Sequence, residues 1–211
     1  MLPSQHATPV KRDLLVLCAL ASVLPVLHVV AGNGYGFHRD ELQTLDDARH
    51  LAAGFVAYPP LTPIAGRIAI AIGGISPWVF RWPAVLVNMA SLVLVGLTAR
   101  ELGGRRVAQV IALGMSLAVA VVFSTMLQYN TFDYLAWALA TFFTARLLRT
   151  GDARWWIGVG AAIGIGVLSK YSIALLAASI VAGMVVLPSQ RHWLRSRWFW
   201  LGMLATVSGQ V

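Results

Sequence analysis

Charge is what this sequence has least of. Only 11% of its 211 residues are Asp, Glu, Lys or Arg, and acids number just eight. A soluble domain carries about a quarter of its residues charged, so water is not the main solvent here. The single cysteine, Cys18, sits inside an apolar run, which excludes a disulfide framework and a cysteine metal site. The five histidines (His6, His28, His38, His50 and His192) lack paired ligand spacing. Asp40 and Glu41 are adjacent, but two carboxylates are too few oxygen ligands to argue for a divalent ion. No glycine-rich phosphate loop lies between a strand and a helix, which speaks against a nucleotide-sugar donor. The sequence thus calls for no metal and no cofactor. It shows neither an internal repeat nor a low-complexity tail.

What is present is apolar. Hydrophobic residues make up 58% of the chain and the mean hydropathy is +0.74. A bilayer core about 30 Å thick needs about 20 apolar residues per helical span. Continuous runs rich in Leu, Ala, Val and Gly fit that and exclude a β-barrel, whose strands alternate. The expected spans are residues 14–31, 82–99, 107–123, 132–148, 155–168 and 171–187, with a last run beginning near Trp198 and still open at Val211. The class is all-α, a polytopic transmembrane helical protein, read as one transmembrane domain over residues 1–211. Lys11-Arg12 before the first run, with Val29-Val30-Ala31 after it, has the pattern of a cleaved signal peptide; an uncleaved anchor fits better, because the rest of the chain also lives in the membrane.

The net charge of +8 does not point to nucleic acid, because the cations form no domain-sized patch but sit at the ends of apolar runs. With a cytoplasmic N-terminus, the inner segments collect Lys11, Arg12, Arg100, Arg105, Arg106, Arg146, Arg149, Arg154, Arg191, Arg195 and Arg197. Arg39, Arg49, Arg67, Arg81 and Lys170 fall outside. The positive-inside bias supports that orientation, in the cell (plasma or inner) membrane. Residues 191–198 interleave cations with tryptophans, as an interfacial anchor does.

Residues 32–81 then form an extracytoplasmic loop with structure of its own. Residues 40–53 read as an amphipathic interfacial helix with Leu42, Leu45, Ala48 and Leu51 on one face. Tyr58-Pro59-Pro60 ends it. Residues 61–75, interrupted by Arg67 and Gly73-Gly74, read as an interfacial or re-entrant helix. Further on, Gly158, Gly160, Gly164 and Gly166 allow close helix packing.

Half of the scarce acids fall in this loop, at Asp40, Glu41, Asp46 and Asp47. Asp46 and Asp47 read first as a solvated stretch that keeps the segment out of the bilayer. Asp40, beside Arg39 at a membrane exit, reads as a carboxylate able to take a proton from a hydroxyl or amine. Asp133 is an ionisable group at membrane depth, a functional signal by default, or equally a first-turn acid of a helix capped by Thr131. Lys170, between two apolar runs, either snorkels to the interface or holds a phosphate.

An ordered set of short strings resembles the family 39 glycosyltransferases, which include the protein O-mannosyltransferases and have the GT-C membrane fold. It runs from Phe37-His38-Arg39-Asp40-Glu41-Leu42 through Ala48-Arg49-His50-Leu51, Gly54-Phe55-Val56 and Pro59-Pro60-Leu61 to Asn130-Thr131-Phe132-Asp133 with Trp137. Arg149-Thr150-Gly151-Asp152 with Trp155-Trp156, and residues 164–171, complete it. The resemblance implies a membrane glycosyltransferase that moves a sugar from a polyprenyl-phosphate donor to a protein, lipid or glycan acceptor on the outer face. It implies Asp40 as catalytic base or acceptor-orienting group and Glu41 as its support. Lys170 and Arg39 would offset charge on the leaving phosphate, Asp133 would shape the pocket, and Tyr58 would line the substrate site. Tyr58 stands where relatives often have histidine, and relatives are usually longer, so this chain corresponds to the N-terminal part of a GT-C module. Rival readings are a transporter or flippase-like protein, or a catalytically incomplete half-protein. Against transport, the ionisable groups cluster at one membrane face and not at its midplane.

Overall fold

A computed structural model describes residues 10–32 and 34–208; Val211 and His6 lie outside the described residues. Every regular element among the described residues is helical. The chain opens with α1 (Val10–Ala21) and α2 (Val23–Ala31), which together form one apolar stretch of 22 residues. The break at Ser22 has a local cause: Pro25 has no N–H to give the carbonyl one turn back, at Ala21.

The loop holds α3 (Arg39–Arg49) and α4 (Leu61–Gly73). At 13 residues, α4 is too short to span, as the sequence suggested. Then α5 (Pro77–Phe80) runs into α6 (Trp82–Glu101) as one apolar stretch of 25 residues, followed by α7 (Arg106–Ser124). The remaining elements are α8 (Tyr129–Thr150), α9 (Trp155–Val167), α10 (Ile173–Val186), a 3-10 helix η1 (Pro188–Arg195) and α11 (Arg197–Ser208).

Three stretches, Val10–Ala31, Pro77–Glu101 and Arg106–Ser124, are long and apolar enough to cross a membrane, and α10 with η1 makes a fourth if that bent pair counts as one span. This is fewer than the sequence suggested. α8 has 22 residues, the length to span, but carries Asn130, Asp133, Arg146 and Arg149. α9 stops at 13 residues, where the chain turns through Leu168 and Ser169. Even so, the protein is an all-helical membrane protein.

The packing order follows the chain: α6 lies against α7 and α8, α8 against α9, and α9 against α11, while α3 rests on α4. One apolar core joins α8, α9, α10 and the η1–α11 segment around Trp156, Val159 and Ile173, and a second joins α1, α2, α6 and α7 around Leu17, Val85 and Leu92. The small residues expected to allow close approach do so: a β-carbon on Gly160 would run into the Gly202 carbonyl of α11, and one on Gly166 into Ile173.

Two groups of charges occupy opposite ends of α6. At its C-terminal end, buried Asp13 takes Arg100 and, at 2.9 Å, Arg106, while Glu101 takes Arg146 and Arg149. Arg81 stands at its N-terminal end. Of the cations assigned above to the inner face, Arg100, Arg106, Arg146 and Arg149 thus gather at one end of α6, while Arg81, assigned to the outer face, stands at the other.

The α9–α11 seam yields a first test. Gly160→Leu should lower the thermal stability of the detergent-solubilised protein by an amount typical of an overpacked core, about 1–3 kcal/mol. Gly183→Ala, whose β-carbon meets nothing within 4 Å, should leave it unchanged; equal effects would mean the seam is not tightly packed.

Candidate functional site

The site at the Arg81 end is assembled by α3. Its first turn is held by a reciprocal cap: His38 Nδ1 accepts the Asp40 N–H at 3.2 Å and the Glu41 carboxylate accepts the His38 N–H at 3.0 Å. Glu41 is fully buried, as is Arg81. Arg81 donates from Nε to Oε1 at 2.9 Å and from Nη2 to Oε2 at 2.6 Å, a two-pronged, charge-assisted pair. The Leu127 N–H adds a fourth bond at 3.3 Å. Arg81 also reaches the Gly36 carbonyl and lies under the Tyr35 ring, 4.3 Å from its centroid.

This pair changes which face of α3 is buried. The expected stripe of Leu42, Leu45, Ala48 and Leu51 is only half right: Leu42 and Leu51 are 50% and 48% exposed, and the buried face is Glu41, Thr44, Leu45 and Ala48. The guanidinium makes Glu41 an interior residue, and the helix turns accordingly. It also ends at Arg49, not Ala53, because the chain leaves helical geometry at His50.

Glu41 therefore has its oxygens committed to protein donors. Asp40, the next residue back, is half-exposed, with Arg39 Nε at 3.4 Å and His38 Nδ1 at 3.9 Å from its carboxylate. The Arg39 side chain is almost entirely in solvent.

A second set of residues meets two turns further along. Asp47 lies seven residues after Asp40, two turns along the same side of α3, and its carboxylate accepts the Tyr58 hydroxyl at 2.6 Å. Tyr58 is buried against Tyr129, ring centroids 5.4 Å apart, and beside Phe55 at 6.0 Å. Burial, and then the Asp47 carboxylate, push the Tyr58 phenol well above its ordinary value, so it stays a hydrogen-bond donor. Over the far residue of this stack sits a cation: Lys170 Nζ is 5.1 Å from the Tyr129 ring and donates to Asn130 Oδ1 at 3.0 Å. No carboxylate among the described residues lies within ion-pair distance of Lys170.

Asp133 faces the same turn, where the Ser172 hydroxyl lies 3.0 Å from both its oxygens. The turn is pinned from both sides, since Ser169 Oγ donates to the Tyr129 carbonyl at 2.6 Å and the Leu61 N–H to the Leu168 carbonyl at 3.1 Å. Thr131 is not the cap of this helix. α8 begins at Tyr129 with an extended Gln128 before it, which places Thr131 inside the first turn and Asp133 beyond it.

The structure thus brings Tyr58, Asp133 and Lys170 to one junction of the loop, α8 and the α9–α10 turn, with Asp40 at the head of α3. Sequence reasoning missed Asp47, Tyr129 and Arg81. Asp47 carried a signal, its spacing of seven from Asp40; Arg81 carried one too, a lone cation opening a long apolar helix. No group of three or more His, Cys, Asp or Glu side chains among the described residues converges as a metal site would require.

The sequence model of the family described as dolichyl-phosphate-mannose-protein mannosyltransferase matches residues 57–209. The matched segment includes Tyr58, Tyr129, Asp133 and Lys170, while α3 with its acids precedes it. No curated protein and no solved structure matches the chain.

Breaking the buried pair tests its role. Arg81→Met leaves the Glu41 carboxylate buried without a cation and should cost about 3–5 kcal/mol of stability. Adding Glu41→Gln should recover a substantial part of it in a detergent thermal-unfolding series; a double variant no better than the single would show that the pair is not what buries Glu41.

Proposed function

The chain belongs to the dolichyl-phosphate-mannose-protein mannosyltransferase family, and from that premise we propose that it transfers a sugar from a polyprenyl-phosphate carrier to a hydroxyl-bearing acceptor on the extracytoplasmic face of the cell membrane. The observation that carries the reading is the junction itself: an accessible carboxylate on α3 and a lysine with no carboxylate in ion-pair distance among the described residues, held at the same end of one membrane bundle.

The acceptor oxygen attacks the anomeric carbon, the bond from that carbon to the carrier's phosphate oxygen breaks, and Asp40 takes the hydroxyl proton. The products are the glycosylated acceptor and the free polyprenyl phosphate. Lys170 offsets the charge that develops on the phosphate as it leaves, with Asn130 and the Tyr129 ring fixing the ammonium group. Arg39, exposed at the rim, adds positive charge for an approaching anion. Glu41 is a positioning residue: its bonds to Arg81, His38 and Leu127 set the direction in which the first turn of α3 presents Asp40. Asp47 and Tyr58 position the platform under Lys170, and Asp133 with Ser172 fixes the turn that carries it.

A transporter would set its ionisable groups near the middle of the bundle, whereas these residues collect at the Arg81 end. That favours chemistry at an interface over passage through it.

In membranes bearing the full-length protein, Asp40→Asn should lower transfer from a radiolabelled polyprenyl-phosphate sugar by about 100-fold or more, with insertion unchanged. Transfer at the wild-type rate would remove Asp40 from the chemistry. Lys170→Ala should reduce transfer strongly and Lys170→Arg should restore part of it, since the role asks for a cation; an inactive arginine variant beside an active alanine variant would contradict that role. Tyr58→Phe keeps the ring stack but leaves Asp47 without its donor. Hydrogen bonds to charged groups contribute about 1.5–3 kcal/mol, so limited proteolysis should cut the loop at residues 50–57 faster in this variant.

A further inference from the structure

The Arg100 end of the bundle holds features that the glycosyl-transfer reading does not use. α10 ends at Val186, and η1 sets off at 114° to it, so the 3-10 helix lies across the end of the bundle and not along it. Arg191, His192 and Arg195 of η1 are exposed, whereas Trp193 is buried inward. Next to them, the exposed Arg154 and Arg197 flank Trp198, their guanidinium carbons 5.9 and 5.1 Å from its ring. None of these four arginines has a carboxylate within ion-pair distance among the described residues. Asp152 is the one acid in the sequence after Asp133.

Under η1 is a cavity of about 190 Å³ between α8, α9 and α10, walled by Leu147, Trp156, Ile180, Gly183 and Met184 and closed toward η1 by Trp193. Its walls are almost wholly apolar, which suits a hydrocarbon chain. Trp156 is 4% exposed, and its indole N–H has no acceptor in the structure. A buried donor without a partner costs free energy, and it adds a polar group beside an otherwise apolar wall.

We propose that this is a binding site for one anionic phospholipid. An acyl chain occupies the cavity, and the phosphate rests against Arg191 and Arg195 on η1. Charge complementarity selects the occupant: a neutral lipid would fill the slot but leave the cation rim without a counterion, and a free phosphate would use the rim but leave the slot empty. Each cation near a membrane surface adds about 1 kcal/mol of attraction for anionic lipid.

The test uses the full chain in nanodiscs of equal parts phosphatidylcholine and phosphatidylglycerol, followed by native mass spectrometry. Wild-type protein should retain one phosphatidylglycerol in preference to phosphatidylcholine. Arg191→Gln with Arg195→Gln should weaken that retention roughly 30-fold, as two lost charges imply. Gly183→Leu should abolish it, because the new side chain enters space where a β-carbon meets nothing within 4 Å; its thermal midpoint in lipid-free detergent should equal that of the wild type, which separates an occupied slot from a misfolded one. Equal retention of both lipids, an adduct that survives both variants, binding of inorganic phosphate alone, or no bound lipid would each overturn the proposal.

Discussion

The bond between Arg81 and Glu41 is the constraint on which the Arg81 end depends. Removing two charges from water costs several kcal/mol per ion, and their attraction repays that only when geometry and extra hydrogen bonds are good. Here the carboxylate meets both conditions, with two guanidinium bonds and two backbone N–H groups on it, while the Arg81 Nη1 is left without a hydrogen-bond partner among the described residues. Those four donors come from three places in the sequence: the entry to α3, the junction of α5 and α6, and the connection between α7 and α8. One side chain thus fixes three chain segments, and the orientation of α3 follows from it. The apolar residues Phe80, Ala84, Leu127, Leu45 and Ala48 then close around the pair.

The same logic operates at the other end of α6. Asp13 and Glu101 are buried, and each takes two arginines from neighbouring helices. Between apolar helices, a lipid environment supplies little hydrophobic drive for association, so polar contacts and close packing of small residues decide which helices meet. α6 has ion pairs at both ends and, between them, buried Asn88 and Ser91 bonded back to its own backbone; α9 and α11 instead meet through Gly160 and Gly202.

The eight acids divide by what their neighbours ask of them. Asp13, Glu41 and Glu101 are interior counterions; Asp47 holds Tyr58 and Asp133 meets Ser172; Asp152 accepts the Arg154 N–H at a helix start. Asp46 sits beside His50 in solvent. That leaves Asp40 as the accessible carboxylate at the head of the loop helix, with Arg39 and His38 as its ion-pair partners among the described residues.

Much of this was legible from the sequence. Scarce charge and continuous apolar runs determined a helical membrane protein, because a 3.6-residue period filled with Leu, Val and Ala has no other stable form in lipid. The shortness of α4 and the packing glycines of α9 were also local matters, written in single residues. The pairing of charges was not. Arg81 and Glu41 are 40 positions apart and Tyr58 and Lys170 more than 100, and no periodicity links them; only the folded arrangement decided that Glu41 turns inward while Asp40 stays out. Hydropathy alone placed Leu42 and Leu51 on the buried face of α3, since it scores a carboxylate as polar wherever it lies. A guanidinium within 3 Å reverses that preference, and that is a fact of tertiary structure.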